Sequence, residues 1–227
     1  MTLFGMEPRV VTAGAVHLPE RFSAAQQQGL LNRCRRWAGE PAGLHRVRMP
    51  RGGMMSVRQV CLGWHWSPYR YRRVTDDGRP VTAFPAWLGA LAVECVTAAY
   101  GSADDFAPDV AIVNHYSGGA RMGMHQDNEE ASAAPVVSIS LGDTALFRLG
   151  NTDNRNRPWH DLRLSSGDVF VFGGPHDVPS TGSPRCIPAP HHLAWTASSV
   201  GGTSRSDRPV CSRKVSRLAD HVGSKAR

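Results

Sequence analysis

The stretch PVVSISLGDTALFRLG, residues 135–150, decides the fold class of this chain. It holds two short apolar runs separated by Gly142 and Asp143, which is typical of two strands joined by a turn. DVAIVNHY at 109–116 and SGDVFVFGG at 166–174 have the same character. Strands at a spacing of roughly 10 residues, with no helix between them, predict an antiparallel sandwich or barrel and exclude a Rossmann fold.

Two helices are predicted before these strands. In SAAQQQGLLNRCRRWAG, residues 23–39, Ser23 and Gln26 form a potential capping box. FPAWLGALAVECVTAAY, residues 84–100, has Pro85 where a first helical turn accepts it. The apolar residues that recur on one face of each helix are Leu30, Leu31, Cys34, Trp37, Leu88, Leu91, Ala92 and Cys95. The predicted class is therefore mainly β, of the α+β type.

Composition indicates an intracellular globular protein. The chain has 227 residues, 41% of them hydrophobic and 20% charged, which is enough for one buried core. No apolar run approaches the roughly 18 residues that span a bilayer. The five cysteines are scattered without a CxxC pair, as expected for reduced thiols. We expect a cytoplasmic protein without a membrane partner.

The net charge of +7 is unevenly distributed. Residues 176–227 contain eight Lys/Arg and three Asp/Glu, whereas residues 1–175 contain 18 and 16. Over the globular part, charge alone is therefore a weak argument for a nucleic-acid partner. Residues 176–227 also lack periodicity and are rich in Ser, Pro, Arg and Gly, which predicts a disordered tail.

A metal site is indicated by GARMGMHQDNEE, residues 119–130, in which His125 and Asp127 stand two apart. On a strand such residues share a face, so an imidazole and a carboxylate can bind one ion. Together with a distal His they would form the 2-His-1-carboxylate triad of non-haem Fe(II) oxygenases. An isolated HxD pair is more often a surface His beside a solvated Asp. Its place between two predicted strands favours the metal site.

Taken in order, these segments resemble one family. With AGAVHLP at 13–19, GGMMSV at 52–57 and LGW at 62–64, residues 3–175 resemble the AlkB-like Fe(II)/2-oxoglutarate dioxygenases. The resemblance implies a double-stranded β-helix, or jelly-roll, core at about 108–175. It also implies N-terminal helices, a nucleotide-recognition lid at about 40–83 and a monomer.

The activity implied is oxidative demethylation of N-alkylated nucleobases with Fe(II), O2 and 2-oxoglutarate. The substrate would be single- or double-stranded DNA, with RNA left open. By resemblance, His125 and Asp127 would be iron ligands and catalytic residues, and Asn114, His115 and Tyr116 would bind 2-oxoglutarate. Taken alone, Asn114 and Tyr116 would more readily be interpreted as strand-end and core residues.

The resemblance also implies a substrate pocket. Trp64, Tyr69 and Tyr71 would line it, because aromatic faces hold a base that has been flipped out of its stack. Glu129 would accept from an exocyclic amine of the base, and Arg155 would be a basic residue on the substrate side. The alternatives are an interior aromatic cluster and a solvated loop arginine.

The chain departs from the family after Pro175. The family places its distal His about seven residues after the Gly-Gly pair that ends VFVFGG, to complete the iron site. Here that position is Thr181. The family's paired C-terminal arginines, which clamp 2-oxoglutarate, also have no equivalent at the expected spacing. His191 and His192 could fold back as substitutes, although solvated histidines are the commoner outcome.

Two hypotheses follow from this departure. The first is that the chain is a catalytically inactive, truncated or frameshifted remnant with at most nucleic-acid binding. The second, which is compatible with the first, is that the segment from about His176 is a frameshift product. A one-base shift can place a histidine across the junction of Ser180 and Thr181.

The frameshift hypothesis predicts a specific feature of the coding DNA. A single-base insertion or deletion near codon 176 should restore both the distal histidine and the arginine pair. Resequencing the gene checks this, and a gene in which no such change restores both features refutes it.

Overall fold

The computed structural model describes residues 6–68, 70–123, 134–150, 157–174 and 191–198, the last range for its backbone only. Its helices are α1 (Ala24–Gly39) and α2 (Ala86–Tyr100). Its strands are β1 (Arg9–Thr12), β2 (Ala15–Leu18), β3 (His45–Arg48), β4 (Met54–Leu62), β5 (His65–Ser67), β6 (Arg70–Arg72), β7 (Val110–Ser117), β8 (Val136–Gly142), β9 (Ala145–Leu149), β10 (His160–Leu164), β11 (Val169–Phe172) and β12 (His191–Ser198).

One large antiparallel sheet dominates the fold. Its eight strands lie in the order β1-β2-β11-β8-β12-β7-β4-β3, and the pairs β9–β10 and β5–β6 form two separate hairpins. The predicted α+β class, mostly strands, is therefore confirmed. No helix in the part of the chain described is long and apolar enough to cross a membrane.

Both predicted helices are present and pack on one face of the sheet. The capping box of Ser23 and Gln26 is formed at the start of α1. Gly101, with a φ of 87°, ends α2 in the left-handed conformation that glycine adopts without steric cost. The helices bury Leu30, Cys34, Trp37, Leu88, Ala92, Cys95 and Val96, which pack with Val60, Val113, Ile139 and Val171 of the sheet.

The opposite face of the sheet carries the β9–β10 hairpin. Phe170 and Phe172 of β11 project to this side, while Val169 and Val171 project to the helices. The rings of Phe147 and Phe170 lie 4.9 Å apart between centroids, in an edge-to-face arrangement. Alternation along β11 therefore divides the interior into two apolar layers.

The prediction of a disordered tail is wrong for residues 191–198, because these residues form β12. This strand lies between β7 and β8 and pairs antiparallel with both. The sheet thus continues past the predicted boundary at residue 175. The prediction rested on the composition of residues 176–227 as a whole. Composition does not show that eight of these residues form a strand whose backbone hydrogen-bonds to the strands on both sides.

A buried hydrogen-bonded pair of side chains holds β2 against the turn before β11. The Nε2 of His17 lies 3.0 Å from Oδ2 of Asp168. The amides of Glu20 and Ser165 each donate to the same carboxylate at 2.9 Å. Burial by itself would raise the pKa of Asp168, but the three donors outweigh it and the pKa is lowered. The carboxylate therefore stabilises the fold in its ionised form.

We predict that Asp168→Asn lowers the free energy of unfolding by about 2–4 kcal/mol, because it leaves buried donors poorly paired. Since the folded pKa is lowered, the stabilisation is complete above about pH 4 and is lost as the pH falls through the folded value. Urea unfolding at several pH values measures both effects. The control is Asp161→Asn, which breaks the exposed pair with Arg148 and should cost at most about 1 kcal/mol. Equal losses in the two variants would contradict the prediction.

Candidate active site

A row of buried polar residues crosses the sheet on the face opposite the helices. The register pairs Ser140 of β8 with Ala194 of β12, Ala194 with Asn114 of β7, Asn114 with Gln59 of β4, and Gln59 with His45 of β3. Directly paired residues project to the same face of a sheet. Ser140, Asn114 and Gln59 are 0%, 8% and 2% exposed. Such a row is unusual in a sheet interior, which is normally apolar.

Three atoms in this row lack hydrogen-bond partners among the residues that the structure describes. They are Oδ1 of Asn114, Oγ of Ser140 and Nε2 of His45, and all three are buried. An unsatisfied buried polar group costs about 1–3 kcal/mol, so it commonly marks a place for a polar ligand or water. Because the amide oxygen and nitrogen of Asn are interchangeable by a flip, Asn114 can accept or donate there. The row therefore fits a polar ligand or water.

Tyr116 joins Asn114 on this face, as the spacing of two residues predicted. It is 3% exposed and packs in a cluster with Val57, Ala120 and Ala145. His115 does not join them. It pairs with Arg58 of β4, and alternation along β7 places it on the other face. The structure thus brings together two of the three predicted 2-oxoglutarate residues.

The chain that leads to the predicted iron ligands is held against this cluster. Met122 packs on the Tyr116 cluster. The hydroxyl of Ser56 donates to the carbonyl of Arg121 at 2.8 Å, and the Arg121 amide donates back at 3.0 Å. The chain is therefore fixed against the Tyr116 cluster as far as Met122.

The remaining predicted site residues lie outside the described part of the chain. They are His125, Asp127, Glu129, Tyr69 and Arg155. Within the residues that are described, no group of three His, Cys, Asp or Glu side chains could hold a metal ion.

The β5–β6 hairpin, which belongs to the segment predicted as a lid, covers the same face of the sheet. The side chain of Gln59 donates from Nε2 to the carbonyl of Trp66 in β5 at 3.4 Å, and the Trp66 amide donates to Sγ of Cys61 at 3.4 Å. The β5–β6 hairpin, which includes Tyr71, therefore lies above β4 on the side of Asn114. Burial raises the pKa of Cys61 to about 12, so this thiol remains protonated.

Trp64 is fixed in a defined orientation. Its Nε1–H donates to Oδ2 of Asp109 at 2.9 Å. The guanidinium carbon of Arg73 lies 3.6 Å from the ring centroid, and its NH1 donates to the carbonyl of Gly63 at 2.9 Å. The guanidinium group of Arg73 thus covers one face of the ring, and the indole N–H has a hydrogen-bond acceptor. A base could stack only on the remaining face.

Sequence reasoning missed a pair of histidines within the segment predicted as a lid. His65 is 2% exposed, and its ring lies 5.2 Å from that of His45 between centroids. Its Nε2 is 3.5 Å from Oδ2 of Asp76. Burial lowers the pKa of His65, against the opposing effect of Asp76. The sequence WHWSPYRYRR indicated an aromatic cluster, but only the fold brings these imidazoles together.

Comparison with known proteins identifies the class to which this fold and site belong. The sequence profile of the 2OG-Fe(II) oxygenase superfamily matches residues 14–204, so the chain belongs to that superfamily. Within that superfamily the chain is AlkB-like. It therefore belongs to a family of dioxygenases, enzymes that use Fe(II) and 2-oxoglutarate. The matched region extends beyond residue 175, where the resemblance was expected to end, and it includes β12.

Individual relatives support this placement. The chain is 35% identical over 209 residues to the alpha-ketoglutarate-dependent dioxygenase AlkB homolog of Caulobacter vibrioides, covering 89% of this chain and 91% of that protein. It is 37% identical over 172 residues to AlkB of Escherichia coli, covering 72% and 77%. The solved structure of OsALKBH1 superposes with a TM-score of 0.73 at 26% identity, covering 85% of this chain and 99% of that one.

We predict that Trp64→Ala weakens binding of methylated single-stranded DNA by about 1–3 kcal/mol, because it removes a stacking surface for the base. Fluorescence anisotropy measures the change. Asp109→Ala is the matched control, since it breaks the same Trp64–Asp109 hydrogen bond but leaves the ring in place. If the two variants lose binding and thermal stability equally, Trp64 is a packing residue of an interior cluster.

Proposed function

We propose that this chain is an Fe(II)/2-oxoglutarate dioxygenase that removes N-methyl groups from nucleobases. The observation that carries the proposal is the buried amide oxygen of Asn114, which has no hydrogen-bond partner among the residues that the structure describes. It stands in a polar row beside Tyr116, under the β5–β6 hairpin. A site of this kind suits a small polar ligand better than it suits a packed core.

Each site residue has a distinct role in the proposed enzyme. Asn114 and Tyr116 would bind and orient the carboxylates of 2-oxoglutarate. His125 and Asp127 would hold the iron. When bound, iron with 2-oxoglutarate and O2 would supply the oxidation of an N-methyl group, which is released as formaldehyde.

The lid would hold the nucleobase. Trp64 offers one ring face for stacking, held in place by Asp109 and Arg73. Extrusion of the base is needed because a methylated edge inside a duplex cannot be reached. Names of relatives support a nucleic-acid substrate. They include the DNA N(6)-methyladenine demethylase ALKBH1D of Arabidopsis thaliana, 29% identical over 185 residues, of which this chain spans 42%.

A catalytically inactive protein is the competing proposal. The resemblance to the family implies a pair of arginines near the C-terminus that clamps 2-oxoglutarate. β12 contains no arginine. A buried carboxylate without a charge partner is costly. Position 181 is a threonine in place of the expected distal histidine.

Succinate and formaldehyde release, with Fe(II) and a methylated oligonucleotide, tests the proposal. We predict coupled release of both products, abolished by His125→Ala and by Asp127→Ala because each removes an iron ligand. The same assay on the frame-corrected chain is the positive control. Activity in the corrected chain alone would favour the inactive remnant. Unchanged turnover in either alanine variant would remove that residue from the iron site.

Asn114→Ala gives this test a readout that does not depend on activity. Because Oδ1 of Asn114 has no partner within the described residues, the variant should keep or raise the melting temperature while weakening 2-oxoglutarate binding. Calorimetric titration of the Mn(II)-loaded protein measures the binding. Gln59→Ala is the control, since Gln59 donates within the fold and its loss should lower stability. A lower melting temperature with unchanged 2-oxoglutarate binding would make Asn114 a core residue.

A further inference from the structure

The buried imidazole of His65 in β5 has no hydrogen bond at either ring nitrogen. Neither Nδ1 nor Nε2 bonds to a residue that the structure describes, although the residue is only 2% exposed. The Oδ2 of Asp76 lies 3.5 Å from Nε2, which is longer than an ordinary hydrogen bond. A buried polar group that is left unpaired costs stability, so packing alone does not account for a histidine at this position.

The neighbouring imidazole of His45 is held in one tautomer. Its Nδ1 lies 2.9 Å from the carbonyl oxygen of Gly43, and since a carbonyl only accepts, Nδ1 carries the proton. Neutral His45 therefore presents a lone pair at Nε2, which is buried without a partner among the described residues. The ring centroids of His45 and His65 are 5.2 Å apart. Two positive charges this close in a buried place would repel each other.

The ionisable groups around His65 come from four elements. They are His45 of β3, the Cys61 thiol of β4, Arg72 of β6 and Asp76 of the turn that follows β6. Arg72 stands directly opposite His65 in the register of the β5–β6 hairpin and is bonded to Asp76. The carboxylate beside the ring is therefore already paired with a guanidinium group. A buried imidazolium at position 65 would have only a shared counter-charge.

Proton binding by His65 thus depends on whether the ring is buried. Burial lowers the pKa of His65, and the charges of His45 and Arg72 act in the same direction against that of Asp76. A histidine in water has a pKa of about 6.5. Because the buried ring has the lower pKa, its burial is fully stable above about pH 6.5 and loses stability as the pH falls below that value.

The element that can move in response is the β5–β6 hairpin. It is a separate two-stranded sheet, and two hydrogen bonds join its Trp66 to β4. The bond from Gln59 to the Trp66 carbonyl is 3.4 Å long, and the bond from the Trp66 amide ends on the sulfur of Cys61, a weak acceptor. A hairpin held in this way opens at a lower cost than the eight-stranded sheet unfolds.

We infer that protonation of His65 releases the β5–β6 hairpin from β4, which makes the hairpin a pH-sensitive cover over the polar row. Above about pH 6.5 the ring is neutral and the hairpin lies on β4. At lower pH a ring nitrogen takes a proton from solvent, the imidazolium moves into water, and Trp66 separates from Gln59 and Cys61. The inference is independent of the proposed function, because it involves no iron, 2-oxoglutarate or nucleic acid.

Hydrogen exchange of the unmodified, metal-free chain tests the inference. Peptides that cover β5 are followed by mass spectrometry between pH 7.5 and pH 5, and each rate is corrected for the intrinsic rate at that pH. The protection of β5 should fall by up to about tenfold per pH unit below about pH 6.5, as the uptake of one proton requires. Protection of β8 and β11 should stay constant. Constant protection of β5, or an equal loss in all three strands, would overturn the inference.

Three histidine variants identify the titrating group. His65→Gln should make the protection of β5 independent of pH, and His65→Asn repeats this test with a smaller side chain. His160→Gln, at an exposed histidine of β10, is the matched control and should keep the full pH dependence. His45→Gln should keep it as well, because His65 still titrates. A pH dependence that survives both substitutions of His65, or that is lost in His160→Gln, would overturn the inference.

Discussion

The active-site face depends on the pairing of β12 with both of its neighbours. β1, β2, β11 and β8 lie on one side of this strand, and β7, β4 and β3 lie on the other. Without it, two rows of backbone donors and acceptors would have no partners in the sheet. Asn114 and Ser140 stand on opposite sides of Ala194, so the polar row exists only because β12 joins the two halves.

Side chains alternate between the two faces of the sheet, so one face packs against the helices and the other carries the candidate site. Val113 and Ile139 pack with the helices, while their neighbours Asn114 and Ser140 project to the other face. The apolar face supplies the burial that holds the sheet and the helices together. The polar face carries Oδ1 of Asn114 and Oγ of Ser140, which have no partners among the residues that the structure describes and therefore cost stability. Departures from good packing of this kind are expected where a protein binds something else.

Local patterns were predictable from the sequence, and non-local register was not. The capping box of Ser23 and the shared face of Asn114 and Tyr116 follow from spacings of two or three residues, and the structure has both. The alignment of Asn114 with Gln59 depends on pairing between strands 55 residues apart, for which a single sequence carries no direct signal. The same limitation explains why β12 was missed. His115 belongs to the same motif as Asn114 and Tyr116, but alternation along β7 places it on the other face of the sheet.

After residue 175 the chain therefore differs from the family in the side chains expected at the site more than in its fold. A strand between two others is held by backbone hydrogen bonds, which nearly any residue except proline can make, and HHLAWTAS meets this requirement. Iron and 2-oxoglutarate demand particular side chains at particular positions. A segment can thus complete the sheet without supplying an arginine clamp. This is why a match to the superfamily over residues 14–204 establishes the fold, while competence for catalysis depends on side chains that the fold does not dictate.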